Sequence, residues 1–196
     1  MTKRAICPAC ERPLATCLCA YLTPVVAPLD VLILQDPKEA KHALSSAPII
    51  EKSLINCQRV IGEQFEPAQL LGPDWQDTAL LLFPSEQASD IKPGMDINNK
   101  TLIVLDGTWK KAARLMHLNP WLSEIAHIRI AAQNESQYKI RKSPRSDGLS
   151  SIEATVAVLN SLSQSQDYDV ILPAFEKMID YQIQAMGAET YNKNYR

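Results

Sequence analysis

Thr101-Leu102-Ile103-Val104-Leu105-Asp106-Gly107-Thr108-Trp109-Lys110-Lys111-Ala112-Ala113-Arg114-Leu115-Met116 changes its hydrophobic period once, in the middle. Up to Leu105 it is a β-branched and aliphatic run, the pattern of a buried strand, and it stops at Asp-Gly, a pair that favours a turn. Beyond the turn Trp109, Ala112, Ala113 and Met116 fall on one helical face and Lys110, Lys111 and Arg114 on the other. The stretch therefore predicts strand, tight turn and helix. In open α/β proteins such turns lie at the carboxyl ends of the strands, where ligands bind, so Asp106 is the first candidate for chemistry. Cations in the first turns of a helix oppose its macrodipole, a small cost that points to an anionic partner. The plainer alternative is that Asp106 caps the helix and the cations form a solvated face.

Strand and helix patterns alternate through the rest of the chain. Strands are expected at 30–35, 57–61, 78–83 and 126–130, with short helices around 38–44 and 48–54 and a Pro/Gly loop at 66–74. Asn119-Pro120 ends the helix after Trp109, and Ser150 with Glu153 forms a capping box that opens a helix to about Leu162. A strand-like Val170 to Leu172 precedes a last helix from Ala174 to Met186, whose Phe175, Met178, Ile179, Ile183 and Met186 read as core packing. This alternation predicts an α/β fold with a mostly parallel sheet and helices on both faces.

The 196 residues suit one domain with a small appendage, and no apolar run approaches membrane-spanning length. Met1-Thr2-Lys3-Arg4 has no apolar segment behind it, so a secretory signal is not expected and the cytoplasm is the expected compartment. A net charge of −2 gives no global reason to bind nucleic acid, so any such contact must come from a local patch. Neither a dinucleotide fingerprint nor a Walker A loop is present, which disfavours a Rossmann-type methyltransferase and a P-loop NTPase.

Cys7, Cys10, Cys17 and Cys19 form a C-x2-C-x6-C-x-C array. Four thiols in a short loop can close around a tetrahedral zinc ion, and in a reducing compartment zinc is favoured over disulfides. Four thiolates leave no open coordination position, so the expected zinc is structural. Cys57 lies in an apolar context and reads as a core residue. Pro84-Ser85-Glu86 ends another strand at the same presumed crevice, either as a ligand loop or as an ordinary turn with a Ser cap. Arg141, Lys142 and Arg145 lie with Lys139 within seven residues, beside Tyr138 and Ser143, a plausible phosphate-backbone footprint.

Asp-Gly-Thr-Trp followed by Lys-Lys-Ala-Ala-Arg resembles the defining segment of the DTW-domain proteins, and Leu149-Ser150-Ser151-Ile152-Glu153-Ala154 resembles their second block. Pro84-Ser85-Glu86 resembles a third segment, and Asp36-Pro37-Lys38-Glu39 keeps the Pro and Glu of a fourth while lacking its His. Ser45-Ser46 stands where that family carries a Thr. The resemblance covers most of the chain. It implies a tRNA-uridine aminocarboxypropyltransferase, which moves the 3-amino-3-carboxypropyl group of S-adenosylmethionine to N3 of a uridine in the tRNA variable-loop region. It also implies a SPOUT-like architecture with a C-terminal trefoil knot.

On this reading residues 1–24 are the zinc-binding segment and 25–196 the catalytic domain. Asp106, Thr108 and Trp109 are the implied catalytic set, with Asp106 either the base for N3 or the holder of the donor's ammonium group. Pro84, Ser85, Glu86, Leu105, Ser143, Arg145, Ser150, Ser151 and Glu153 would wall the S-adenosylmethionine site. Lys110, Lys111, Arg114, Arg141 and Lys142 would hold the tRNA backbone. The oligomeric state, monomer or larger, is left open. Two other classes compete. A phosphatase with a strand-end aspartate nucleophile needs a second acid two positions on, where this chain has Thr108. A non-catalytic zinc-containing RNA-binding module fits the cysteines and cations but gives a crevice carboxylate no purpose.

Overall fold

A computed structural model describes residues 5–130 and 149–187. Six parallel strands form one sheet in the order β2-β1-β5-β3-β6-β4. They are β1 (Asp30–Gln35), β2 (Cys57–Ile61), β3 (Ala79–Leu82), β4 (Ser89–Asp90), β5 (Thr101–Asp106) and β6 (Ala126–Arg129). The helices are α1 (Ala47–Ser53), α2 (Pro67–Leu71), α3 (Trp75–Thr78), α4 (Trp109–Leu118), α5 (Ser151–Ser163) and α6 (Leu172–Met186).

Successive side chains of a strand point to opposite faces, so a strand apolar at every position must be covered on both. β1 over residues 31–34 and β5 over residues 102–105 are such strands. Val31, Ile33, Leu102 and Val104 pack with α1, α5 and α6 in one core cluster. Leu32, Leu34, Ile103 and Leu105 pack with Ala112 and Leu115 of α4 and with Trp121, Leu122 and Ile125 in the other. β2 at the sheet edge has no fully buried residue.

This layering fixes where the crevice lies. β1 crosses to β2 through α1 on one face, and β5 crosses to β6 through α4 on the other. Because β1 and β5 are neighbours, their following chains diverge to opposite faces at their carboxyl ends. That is the topological switch point of an open parallel sheet, and it falls at Gln35-Asp36 and Asp106-Gly107.

Several local expectations are corrected. Residues 38–44 form a series of turns instead of a helix, because the Asp36 carboxylate accepts from the backbone N–H groups of Lys38 (2.9 Å) and Glu39 (3.2 Å) in place of a helical ladder. The 66–74 segment contains α2, with Pro67 at its first turn and Gly72 at its end with φ 85°, so the residues that suggested a loop start and stop a short helix. Of strand-like Val170 to Leu172, Val170 and Ile171 belong to a 3-10 turn (Asp167–Ile171) that buries Tyr168 and Ile171 three residues apart, and Leu172 opens α6. On α4 the buried face is Ala112 and Leu115; Ala113 is exposed and Lys111 half-buried. The cap of α4 is Thr108, whose Oγ1 accepts from Lys111 N at 3.4 Å, not Asp106. The capping box of α5 is formed as expected.

The N-terminal knuckle is continuous with the main body. Leu18, between the last two cysteines of the array, is 1% exposed and belongs to the same core cluster as α1, α5 and α6. Arg12 donates to Met178 Sδ of α6 at 3.4 Å and to the Ala43 carbonyl at 3.2 Å. Among the described residues no helix is long and apolar enough to cross a membrane. Leu18→Ala is expected to lower the unfolding free energy by about 2–5 kcal/mol, read by urea denaturation of the full chain, because the void opens in the shared core; a loss within about 0.5 kcal/mol would mean the knuckle packs independently.

Candidate active site

Asp106 ends a strand that is apolar throughout, and its side chain is 3% exposed. A carboxylate taken from water needs compensating donors. Gln35, at the matching position of β1 and fully buried, supplies one: its Nε2 lies 2.7 Å from Asp106 Oδ2. The Gln35 amide is oriented from its other end, where Arg59 Nη1 of β2 donates to Oε1 at 2.8 Å, and Arg59 Nε is held by Glu51 of α1 at 2.8 Å. An arginine only donates, so the amide must turn its NH2 toward Asp106. Ser45 Oγ lies 2.7 Å from the same Nε2 and 3.5 Å from Asp106 Oδ2, at the end of the turn series that starts at Asp36. The backbone closes the same junction, with Asp36 N donating to Asp106 O at 3.2 Å.

Two further buried carboxylates meet there. Lys111 Nζ is 2.8 Å from Glu39 Oε2 and 3.7 Å from Asp36 Oδ1. Gly107 makes this reach possible, since a Cβ there would stand 2.9 Å from Lys111 Cβ. The mouth of the switch point thus carries Asp36 and Glu39 on Lys111, with Asp106 next to them on Gln35.

The neighbouring wall is aromatic. Phe83, just after β3, lies 6.3 Å from the Trp109 ring and 6.5 Å from that of His127, the latter edge-on. Ser85 Oγ lies 2.6 Å from His127 Nδ1, and His127 Nε2 lies 2.7 Å from the Leu122 carbonyl. β3 pairs directly with β5, so this wall and Asp106 border the same end of the sheet.

The residues singled out from sequence are distributed as follows. Asp106, Thr108, Trp109 and Ser85 lie at the carboxyl ends of β5 and β3, with Thr108 exposed and capping α4. Pro84 and Glu86 are exposed beside Ser85, and Leu105 turns its side chain into the core. Glu153 is engaged in the α5 cap, accepting from Ser150 N at 2.8 Å and Ser150 Oγ at 2.6 Å, with Ser151 at the first helical position. Lys110 is exposed; Lys111 is paired as described, and Arg114 forms a two-point contact with Glu63 at 2.6 and 2.8 Å. That contact holds the Arg114 guanidinium above its ordinary range. Arg141, Lys142, Ser143 and Arg145 lie outside the described residues. Gln35, Arg59 and His127 were not singled out, and Ser45 only with Ser46 as the pair standing at the family's Thr. The available signal for Gln35 was a polar residue closing an apolar run level with Asp106; for Arg59 and His127 there was none, since their partners are remote in sequence.

The four cysteines of the knuckle converge. Their Sγ atoms all lie within 4.8 Å of one another, with the Cys7–Cys19 and Cys10–Cys17 pairs at 3.6 Å. A tetrahedral zinc with Zn–S of about 2.3 Å has sulfur edges of about 3.8 Å, so the cluster can hold that ion. Backbone N–H groups of Cys10 and Ala9, then the Cys19 thiol, bring Cys7 down to about 6, which favours the thiolate a metal requires. Burial pushes the Cys57 thiol up to about 12, which argues against a reactive role for it.

Comparison with known proteins adds independent information. Residues 4–183 match the DTW domain family. The chain is 25% identical over 193 residues to tRNA-uridine aminocarboxypropyltransferase 2 of Macaca fascicularis, covering 93% of this chain and 65% of that protein. It is 27% identical to the Drosophila melanogaster protein of the same name, covering 98% of this chain and 81% of that one. It is 28% identical to tRNA-uridine aminocarboxypropyltransferase A of Arabidopsis thaliana, covering 82% and 73%. The chain thus spans about two thirds of the length of the macaque relative. No solved structure matches.

Two measurements check this geometry. Metal analysis of the purified chain is expected to give one zinc per chain, and Cys10→Ala should lose it together with several kcal/mol of stability; full occupancy in that variant would remove Cys10 from the ligand set. Gln35→Glu sets a second carboxylate against Asp106 Oδ2, so the unfolding midpoint should fall at neutral pH and partly recover in acid, where one proton is shared. An unchanged midpoint would mean that the Gln35–Asp106 bond does not form.

Proposed function

The chain belongs to the DTW-domain family, and from that premise we propose that it is a tRNA-uridine aminocarboxypropyltransferase, using S-adenosylmethionine to alkylate N3 of a uridine in the variable-loop region of tRNA and releasing methylthioadenosine. The observation that carries the reading is the buried Asp106 at the β1/β5 switch point, with Asp36 and Glu39 beside it. A sulfonium donor bearing an ammonium group is a cation, and Asp36, Glu39 and Asp106 at one mouth are the carboxylates that would receive it.

S-adenosylmethionine supplies, when bound, an electrophilic carbon on a positively charged sulfur. The choice among the three carbons on that sulfur is a matter of placement, because displacement requires the attacked carbon in line with the nucleophile. Asp106 is assigned to the ammonium group, the anchor that turns the γ-carbon and not the methyl toward the uridine. Gln35 and Ser45 hold that carboxylate, and Arg59 fixes the Gln35 amide. Phe83 and Trp109 offer apolar ring surface for adenine or for the flipped base, with Ser85 and Glu86 as polar neighbours on the Pro84 turn.

The tRNA backbone is assigned to Lys110 and to Arg141, Lys142 and Arg145, the last three lying outside the described residues. Lys111 and Arg114 support this less, because each is paired to acids of its own chain. The SPOUT-like trefoil knot belongs to the same proposal. It is supported by the insertion of β6 between β3 and β4 and by the return of α5 onto β5, while the connecting residues 131–148 are not described. Zinc is proposed as the knuckle's metal, with a structural role, and the cytoplasm as the compartment.

The test is nucleoside mass spectrometry of unmodified tRNA incubated with the zinc-loaded chain and S-adenosylmethionine. A uridine carrying the aminocarboxypropyl group is expected; a methylated nucleoside would overturn the placement argument, and no product in any tRNA would favour a non-catalytic RNA-binding module. Asp106→Ala should abolish transfer with the fold intact by circular dichroism. Lys142→Ala and Arg145→Ala should each weaken tRNA binding and reduce its salt slope by about one; an unchanged slope would move the RNA face elsewhere.

A further inference from the structure

Alkylation of N3 requires that the imide proton leave, and on the proposed reading a group at the crevice must take it. His127 sits in the middle of β6, 4% exposed, with its Nε2 2.7 Å from the Leu122 carbonyl oxygen. A carbonyl can only accept, so Nε2 carries the hydrogen. In the neutral ring Nδ1 is then a lone pair, and the hydroxyl 2.6 Å away, Ser85 Oγ, must be the donor. One consequence is directional: with its proton committed to His127, Ser85 presents only lone pairs to the crevice. It can therefore accept a hydrogen bond from an N–H but cannot donate one.

The surroundings favour a base over a simple contact. Ser85 is half-buried in a tight turn, with Ser85 N donating to Phe83 O at 2.9 Å and Ala88 N to Ser85 O at 3.1 Å; these bonds fix its backbone, and the bond to His127 holds the hydroxyl. The turn follows β3, directly beside β5 and the Phe83–Trp109 ring pair. Asp106 Oδ2 is moreover already occupied by Gln35.

We infer that Ser85 and His127 form the proton relay for the uridine. The N3–H bond breaks as its proton passes to Ser85 Oγ, and the Ser85 proton passes to His127 Nδ1. The freed pair on N3 forms the bond to the γ-carbon, the carbon–sulfur pair leaves with methylthioadenosine, and the imidazolium returns its proton to water. The Leu122 carbonyl stabilises the imidazolium through Nε2–H. Ser85 is the group that touches the base; His127 is a positioning residue that acts through it. This inference rests on the proposed transfer reaction and names its base.

The experiment compares the zinc-loaded full chain with Ser85→Ala, His127→Gln, His127→Asn and the Ser85→Ala/His127→Gln double variant, using unmodified tRNA and S-adenosylmethionine. Ser85→Ala and His127→Gln should each lower kcat by about 10²–10⁴ with KM for the donor little changed, and the double variant should be no worse than the weaker single. His127→Asn keeps an acceptor for the Ser85 hydroxyl near the Nδ1 position but cannot take a proton, so it should be as slow as His127→Gln. Recovery of the rate in His127→Asn, a raised KM with kcat intact, or additive losses would each overturn the relay. Nitrogen-15 spectra of the histidine-labelled chain should show the Nε2–H tautomer at His127; an Nδ1–H tautomer overturns it without any assay. If the wild-type chain transfers and Ser85→Ala transfers at the same rate, the relay alone fails. If the wild-type chain transfers nothing, the functional reading fails and the relay with it.

Discussion

A buried carboxylate at the end of a buried strand is the constraint from which the rest of this molecule follows. Asp106 cannot be stable there without donors, and each donor requires its own support. Gln35 supplies an NH2 because Arg59 occupies its carbonyl; Arg59 is held by Glu51 on α1, and Ser45 arrives only because Asp36 folds the chain after β1 into turns. Three strands and a loop are thereby committed to one oxygen atom. Such an arrangement gives the carboxylate one orientation and low reorganisation on ligand binding, which is what a placement-controlled displacement requires.

The same end of the sheet is divided electrostatically. Acids collect at the β1/β5 mouth, and the cations nearest to them are drawn into pairing: Lys111 to Glu39 and Asp36, Arg114 to Glu63. The Lys111 pair is half-buried and holds the start of α4 against the turn, whereas the Arg114 pair is exposed and screened by water. A donor cation and a polyanionic RNA could not both be served by one potential. On the proposed reading the acidic mouth at the switch point serves the first and the basic sequence of 139–145 the second.

The knuckle takes part in this organisation. Leu18 packs into the core shared by α1, α5 and α6, and Arg12 bridges from the cysteine loop to α6 and to Ala43, two residues before Ser45. A metal that orders the cysteine loop therefore also steadies the turn that delivers Ser45 to Asp106. A structural zinc here is consistent with a role in holding the site without touching a substrate.

Much of this was legible in one dimension. Periodicity gave the strands at 30–35, 57–61 and 101–106, the α4 and α5 starts and the cysteine cluster, because each depends on neighbours within a few residues. The Asp-Gly-Thr-Trp segment marked Asp106 as the strand-end carboxylate. Where Pro and Gly were read as loop at 66–74, they were helix start and stop, since the same residues serve both purposes. The sheet order, and with it the switch point, came only from the tertiary structure: it depends on which face each crossover takes, and that depends on the packing of remote apolar side chains. So did the partners of the site. Gln35 to Arg59, Lys111 to Glu39 and Ser85 to His127 are separated by 24, 72 and 42 residues, and a hydrogen bond across such distances leaves no local pattern. Local sequence determined the elements and named one carboxylate; the three-dimensional fold decided what that carboxylate is surrounded by, and therefore what it can do.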